Sequence, residues 1–295
     1  MIVLGDSVAW GQGLLRENKF DYLVFKALSG QPPAPGECVM VAHSGATIGA
    51  DATLSKTAVD GEVPGSYPTI SQQCESFADR PDAADIVIVN GGINDVDARR
   101  IVNPLTDELH LREKIVQYCY QDMLTLLGKA TSKFTNRATR IVVPGYYPIL
   151  STESDPIRVP HFLGLHGVQF TKMLTAMGDI VFHKIYRQCT LFAEQSSISL
   201  RQAVDEINAK DGGRRVRFAE VPFAPENAAL APQAWLWGIG EDLVPEDQVV
   251  RPRHGACDRY EPDLIQREIC YRASVGHPNV DGARQFAAAV QRAFV

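Results

Sequence analysis

Short, nearly continuous apolar runs alternate along this chain with longer stretches of helical period. The apolar runs are Ile2 to Leu4, ECVMVAH (37–43), ADIVIVNGG (84–92), TRIVVPGYYP (139–148) and RVRFAEV (215–221). An unbroken apolar run bounded by turn formers suits a strand buried on both faces. Between them, LREKIVQYCYQDMLTLLGKA (111–130) carries apolar residues at helical spacing and is expected to end at its glycine. A second helical stretch covers roughly 178–210 and stops at KDGG. The last helix opens at Asn279, a good N-cap, with Asp281 in the first turn, where a negative charge suits the helix dipole. Strands alternating with helices predict an α/β fold. It is a three-layer α/β/α sandwich around a parallel sheet of about five strands, with the whole of 1–295 as a single domain.

Two stretches fall outside this alternation. STESDPIRVPHFLGLHG (151–167) reads as a loop beside a site. The segment 222–262 is rich in Pro and Ala, contains QAWLWGIGEDLVPEDQ, and is expected to form a cap or extended lobe on the core, because Trp235 and Trp237 argue against disorder. Trp235, Leu236, Trp237 and Ile239 either line a pocket or hold the lobe down, and the second reading is preferred.

Composition narrows the function classes. A net charge of −6, with GGRRVR (212–217) as the richest basic run, argues against a nucleic-acid partner. No apolar stretch reaches the length of a transmembrane segment. The chain opens directly on its first strand, so no signal peptide is expected in it. Localisation stays unknown, with secretion open if the start is truncated. None of the six cysteines forms a CxxC pair, which speaks against a zinc ribbon or a redox motif. Cys119 and Cys189 sit in helical patterns and read as buried thiols, whereas Cys257 and Cys270 bracket a polar segment and are spaced for a loop-closing disulfide or for two free thiols.

Candidate chemistry gathers where strands end. In parallel α/β sheets, ligands bind beyond the carboxyl ends of the strands. The first strand ends in Gly5-Asp6-Ser7, the second in His43-Ser44-Gly45-Ala46-Thr47, and the third in Gly91-Gly92-Ile93-Asn94-Asp95. A serine hydroxyl needs a base to become a nucleophile. The oxyanion that follows needs fixed donors such as backbone N–H groups or an Asn amide. Of the seven histidines, His277 stands on a constrained turn between Gly276 and Pro278, just before the last helix. His161 and His166 lie in the 151–167 stretch, His183 has helical neighbours, and His110 and His254 read as surface residues.

The segments GDSVAWGQG, HSGAT, GGIND and GHPN occur in this order from residue 5 to residue 279. Together they resemble the four signature blocks of the SGNH/GDSL hydrolases, a family of serine esterases and lipases with a flavodoxin-like fold. The resemblance implies a carboxylic ester hydrolase that works without a cofactor or a metal on a small-molecule or acylated-polymer ester. It implies Ser7 as nucleophile and His277 as general base and acid. The oxyanion hole would comprise the backbone N–H groups of Ser7 and Gly45 and the side chain of Asn94. Carbohydrate deacetylation and acyl transfer use the same site, and a non-catalytic acyl- or glycan-binding relative is the reading from another class.

One position departs from that pattern. The family usually carries Asp three residues before the His, and here it is Ser274. A main-chain carbonyl, or a carboxylate from elsewhere such as Asp258, Asp263 or Glu268, would then orient the imidazole, or the site is inactive. Each motif alone also has a purely structural reading, such as Ser7 or Asn94 capping a short helix. A dinucleotide loop is excluded, because the third glycine of that fingerprint is replaced by Arg16. There is no HExxH motif or compact His/Asp cluster to bind a catalytic metal.

Overall fold

Ile2, Val3 and Leu4 form β1 (Ile2–Leu4), and all three side chains are buried, as a strand covered on both faces requires. The computed structural model describes residues 1–49, 59–165, 178–240 and 245–294. Around β1 stand β2 (Val39–Met40), β3 (Ile86–Val89), β4 (Arg140–Pro144) and β5 (Val216–Ala219). All pair in parallel, in the order β2-β1-β3-β4-β5. That is the flavodoxin-like order, whose direction of winding reverses between β1 and β3.

The reversal fixes the layers. Parallel crossovers are right-handed, so the connections that build leftward and rightward from β1 must lie on opposite faces. Accordingly α2 (Phe20–Ser29) packs against α12 (Val280–Arg292) on one face. On the other, α3 (Ile70–Ser76), α7 (Met123–Lys133) and the long α9 (Gly178–Asp211) pack in sequence. The fold is a three-layer α/β/α sandwich with a five-stranded parallel sheet.

Local structure follows the sequence patterns with instructive exceptions. The run 37–43 yields only the two-residue β2, because past Met40 the backbone turns to follow the tip of β1. The helical stretch around 111–130 does not end at Gly128. It begins as α6 (Glu108–Val116), passes through a π-helical segment (Gln117–Asp122) and continues as α7 to Lys133. Gly128 is a tolerated interior glycine there, not a cap. The stretch 151–167 is partly helical, since α8 (Val159–Leu165) lies within it. Asn279 caps α12 as expected, accepting from the N–H groups of Asp281 and Gly282 at 3.0 Å each.

The segment 222–262 contributes α10 (Val250–Tyr260), which is followed by α11 (Leu264–Tyr271). Cys257 and Cys270 are joined by a disulfide that ties α10 to α11, with a Cα–Cα distance of 5.9 Å. Cys74, Cys119 and Cys189 are buried free thiols. No described helix is long and apolar enough to cross a membrane.

Candidate active site

Ser7 is the first residue after the tip of β1 and the first residue of the one-turn helix α1 (Ser7–Trp10). The cap of that helix is Asp6, not Ser7. Its carboxylate accepts from Val8 N at 2.8 Å, which leaves the Ser7 hydroxyl for other contacts. Gln73 of α3 pins the strand tip from the side. Its Oε1 accepts from Gly5 N at 2.8 Å, and its Nε2 donates to the Gly5 carbonyl at 3.0 Å. The strand stops at Gly5 and the chain turns sharply, so Ser7 faces a cavity of about 590 Å³ at the reversal point between β1 and β3.

Gly45, Asn94 and His277 line the same cavity. Gly45 has φ +76°, and a Cβ there would stand 2.5 Å from the backbone nitrogen of Gly65, so only glycine fits. Asn94 sits in the short helix α4 (Ile93–Val96) beyond β3, and its amide nitrogen donates to the Ala46 carbonyl at 2.9 Å. One of its two N–H groups is thereby fixed, which orients the amide plane. Behind it, the π-helical segment seats the Cys119 thiol against Gly92, where a Cβ would come within 2.9 Å of the sulfur.

His277 Nε2 lies 2.7 Å from Ser7 Oγ. Its Nδ1 lies 3.2 Å from the main-chain carbonyl of Ser274. A carbonyl only accepts, so Nδ1 carries the proton. Nε2 of the neutral ring is then the acceptor for the serine hydroxyl. The turn is braced from behind by residues 235–239. Trp237 N donates to the His277 carbonyl at 2.7 Å, Gly276 N to the Trp237 carbonyl at 2.9 Å, and Asn279 N to the Trp235 carbonyl at 2.8 Å. Leu236 and Ile239 are core residues, and neither tryptophan lines the cavity. The QAWLW stretch thus holds the histidine turn in place.

The remaining candidates lie elsewhere. Asp258 accepts from the Tyr271 hydroxyl, Asp263 caps α11, and Glu268 pairs with Arg272, so none of the three serves the imidazole. His161 is exposed on α8, His183 is exposed on α9, and His254 packs at a tilt against Tyr271 with ring centroids 4.2 Å apart. His166 lies outside the described residues. Among the described residues, no group of three or more His, Cys, Asp or Glu is placed to hold a metal ion.

Two carboxyls border the site, Asp6 fully buried and Asp95 partly buried. Asp6 accepts from the Tyr146 hydroxyl at 2.7 Å, and burial pushes its carboxyl up to about 6 despite the hydrogen bonds that favour the charged form. Asp95 accepts from Ile48 N at 3.0 Å through each oxygen, and burial also pushes it up to about 6. Tyr146 went unnoticed in the sequence. It follows the Pro-Gly stop of β4, a strand-tip position like those of Ser7 and Asn94, and that position was a usable signal.

A buried ion-pair network behind Ser274 also went unnoticed. Asp247 accepts from the Ser274 hydroxyl and pairs with Arg253, which is fully buried. Arg253 reaches Glu62 at 3.1 Å. These residues are scattered along the chain without periodicity, so no sequence pattern links them.

No protein-family model matches this chain, and no curated protein matches it. One solved structure aligns over 99% of this chain and 94% of its own, at 13% identity and a TM-score of 0.43. A likeness at that level carries no argument about function.

Proposed function

We propose that this chain is a serine hydrolase that cleaves carboxylic esters through an acyl-enzyme on Ser7. The observation that carries the reading is the pair of contacts on His277: Nε2 at 2.7 Å from Ser7 Oγ, and Nδ1 held by a carbonyl. That arrangement prepares a neutral imidazole to take the serine proton as the oxygen attacks. The negative charge that develops on the substrate carbonyl oxygen is met by the Asn94 amide and the backbone N–H groups of Ser7 and Gly45, all at the cavity wall. His277 then returns the proton to the departing alcohol. Water repeats the sequence on the acyl-enzyme, with His277 again as base, to release the acid and free Ser7. The order of the four sequence blocks supports the same reading.

Among the described residues, Nδ1 meets the Ser274 carbonyl at 3.2 Å where the family pattern has a carboxylate, which favours one second reading: a relative that binds an acyl group without turning it over. A carbonyl orients the ring but stabilises imidazolium less than a carboxylate does. Hydrolysis of p-nitrophenyl acetate and octanoate by the wild type and Ser7→Ala separates the two. Turnover of either ester by the wild type and its loss in Ser7→Ala is the expected result. Substantial turnover left in Ser7→Ala would remove Ser7 from the mechanism. An inert wild type that also fails to take a fluorophosphonate on Ser7 would leave the binding reading.

A further inference from the structure

Ser274 occupies the position from which a carboxylate would usually orient His277, and a carboxylate does meet its hydroxyl. The side chain of Asp247 is completely buried, and one of its oxygens accepts from the Ser274 hydroxyl. The same carboxylate pairs with Arg253, whose Nη1 lies 3.2 Å from its other oxygen. Arg253 Nη1 also reaches Glu62 Oε1 at 3.1 Å, and Arg253 Nε donates to the Tyr271 carbonyl at 3.1 Å. Glu62 in turn accepts from Gly13 N at 2.9 Å and from the indole nitrogen of Trp10 at 2.6 Å. The chain of contacts therefore runs from the α1 region, which presents the serine, to the turn that presents the histidine.

Close packing surrounds the same point. Gly13 has φ +83°, and a Cβ there would meet the Cβ atoms of Ser274 and Asp247 at 2.8 and 2.9 Å. Buried charges are costly to assemble, and a well-packed apolar cluster is often as stable. A role beyond stability is therefore worth testing. The Ser274 carbonyl accepts from both Nδ1 and the backbone N–H of His277, so its direction sets the ring's orientation.

We propose that the buried Glu62–Arg253–Asp247 network is a positioning device for His277, acting through the Ser274 hydroxyl to fix the carbonyl that holds Nδ1. The inference deepens the hydrolase reading and rests on it for its kinetic readout. Its geometric content does not depend on which substrate is used. Asp247 and Ser274 are positioning residues, because neither touches the reacting atoms.

The test uses two variants and two readouts on the full chain. Asp247→Asn weakens the partner of a buried guanidinium and is open to folding failure. Ser274→Ala leaves every ion pair whole and removes only the hydroxyl link. With p-nitrophenyl acetate, Ser274→Ala is expected to lose on the order of ten- to a hundredfold in kcat with little change in KM, as misplaced catalytic groups do. In parallel, the imidazole ¹⁵N signals of His277 are recorded. The wild type is expected to show the Nδ1–H tautomer, and Ser274→Ala a mixture. Wild-type kcat together with wild-type ¹⁵N signals in Ser274→Ala overturns the inference, even if its melting temperature falls. A network that only holds the fold would give that pattern. If the wild type hydrolyses neither ester and takes no fluorophosphonate on Ser7, the hydrolase reading fails by itself, and the tautomer comparison alone decides the positioning role.

Discussion

Asn94 donates to the Ala46 carbonyl at 2.9 Å and lines the cavity beside Ser7, so its amide is held in place, and in the hydrolase proposed above it serves as an oxyanion donor. A donor fixed in this way stabilises developing charge without reorganising. Asn94→Ala is expected to lower kcat by about 2.7–4 kcal/mol in activation free energy, with KM far less affected. Steady-state kinetics on a p-nitrophenyl ester measures it, and an unchanged kcat would put Asn94 outside the oxyanion hole. That Asn94, Gly45, Ser7 and His277 meet at one cavity was legible from their places in the chain, while the roles proposed for them rest on the resemblance. Each lies at the tip of an element whose apolar run or cap marks its end. Asp247 and Arg253 were not legible. A buried charge is placed by partners that fold in from afar, and Glu62 is 191 residues from Arg253.

At the scale of elements, the clearest signals were buried strands and the capped last helix, because burial on both faces and a side-chain cap are local properties. The weakest were β2, α8 and the π-helical segment. The first two are short enough for neighbours to decide them. The third is an extra residue's worth of winding with no compositional mark. The disulfide between α10 and α11 adds a covalent constraint to the histidine side of the site. It packs with Val63, next to Glu62, so it also draws α10 and α11 toward that end of the network. Its sequence separation of 13 closes a short loop. Chain-entropy arguments give a stabilisation of about 3 kcal/mol for a loop near this size. Urea unfolding with and without reductant should show a loss of that order. Coincident curves, with reduction verified by thiol titration, would mean that packing alone holds the two helices together.

Across the whole molecule, Asp6 joins two strands of the sheet to the site. It follows β1, caps the helix that begins at Ser7, and takes a hydrogen bond from Tyr146 beyond β4. The ordinary carboxyl value of 3.8 holds in the unfolded chain, whereas burial pushes the folded value up to about 6. Below 3.8 both states keep the proton and the group contributes no pH dependence. Between 3.8 and about 6 the folded chain holds a proton that the unfolded chain releases, so Asp6 lowers stability as pH rises through that window. Above it, the penalty is constant, on the order of 3 kcal/mol for a shift of this size. Asp95, raised in the same direction by its own burial, adds to the slope. Asn at position 6 resembles the protonated acid, with an oxygen for Val8 N and an N–H toward the Tyr146 oxygen. Asp6→Asn is therefore expected to match the wild type in stability near pH 4 and to exceed it increasingly up to pH 6, with a constant gap beyond. Urea unfolding of both proteins at several pH values measures the gap. Parallel stability curves across the window would mean that the Asp6 carboxyl titrates near its ordinary value and that the strand tip carries its charge without penalty.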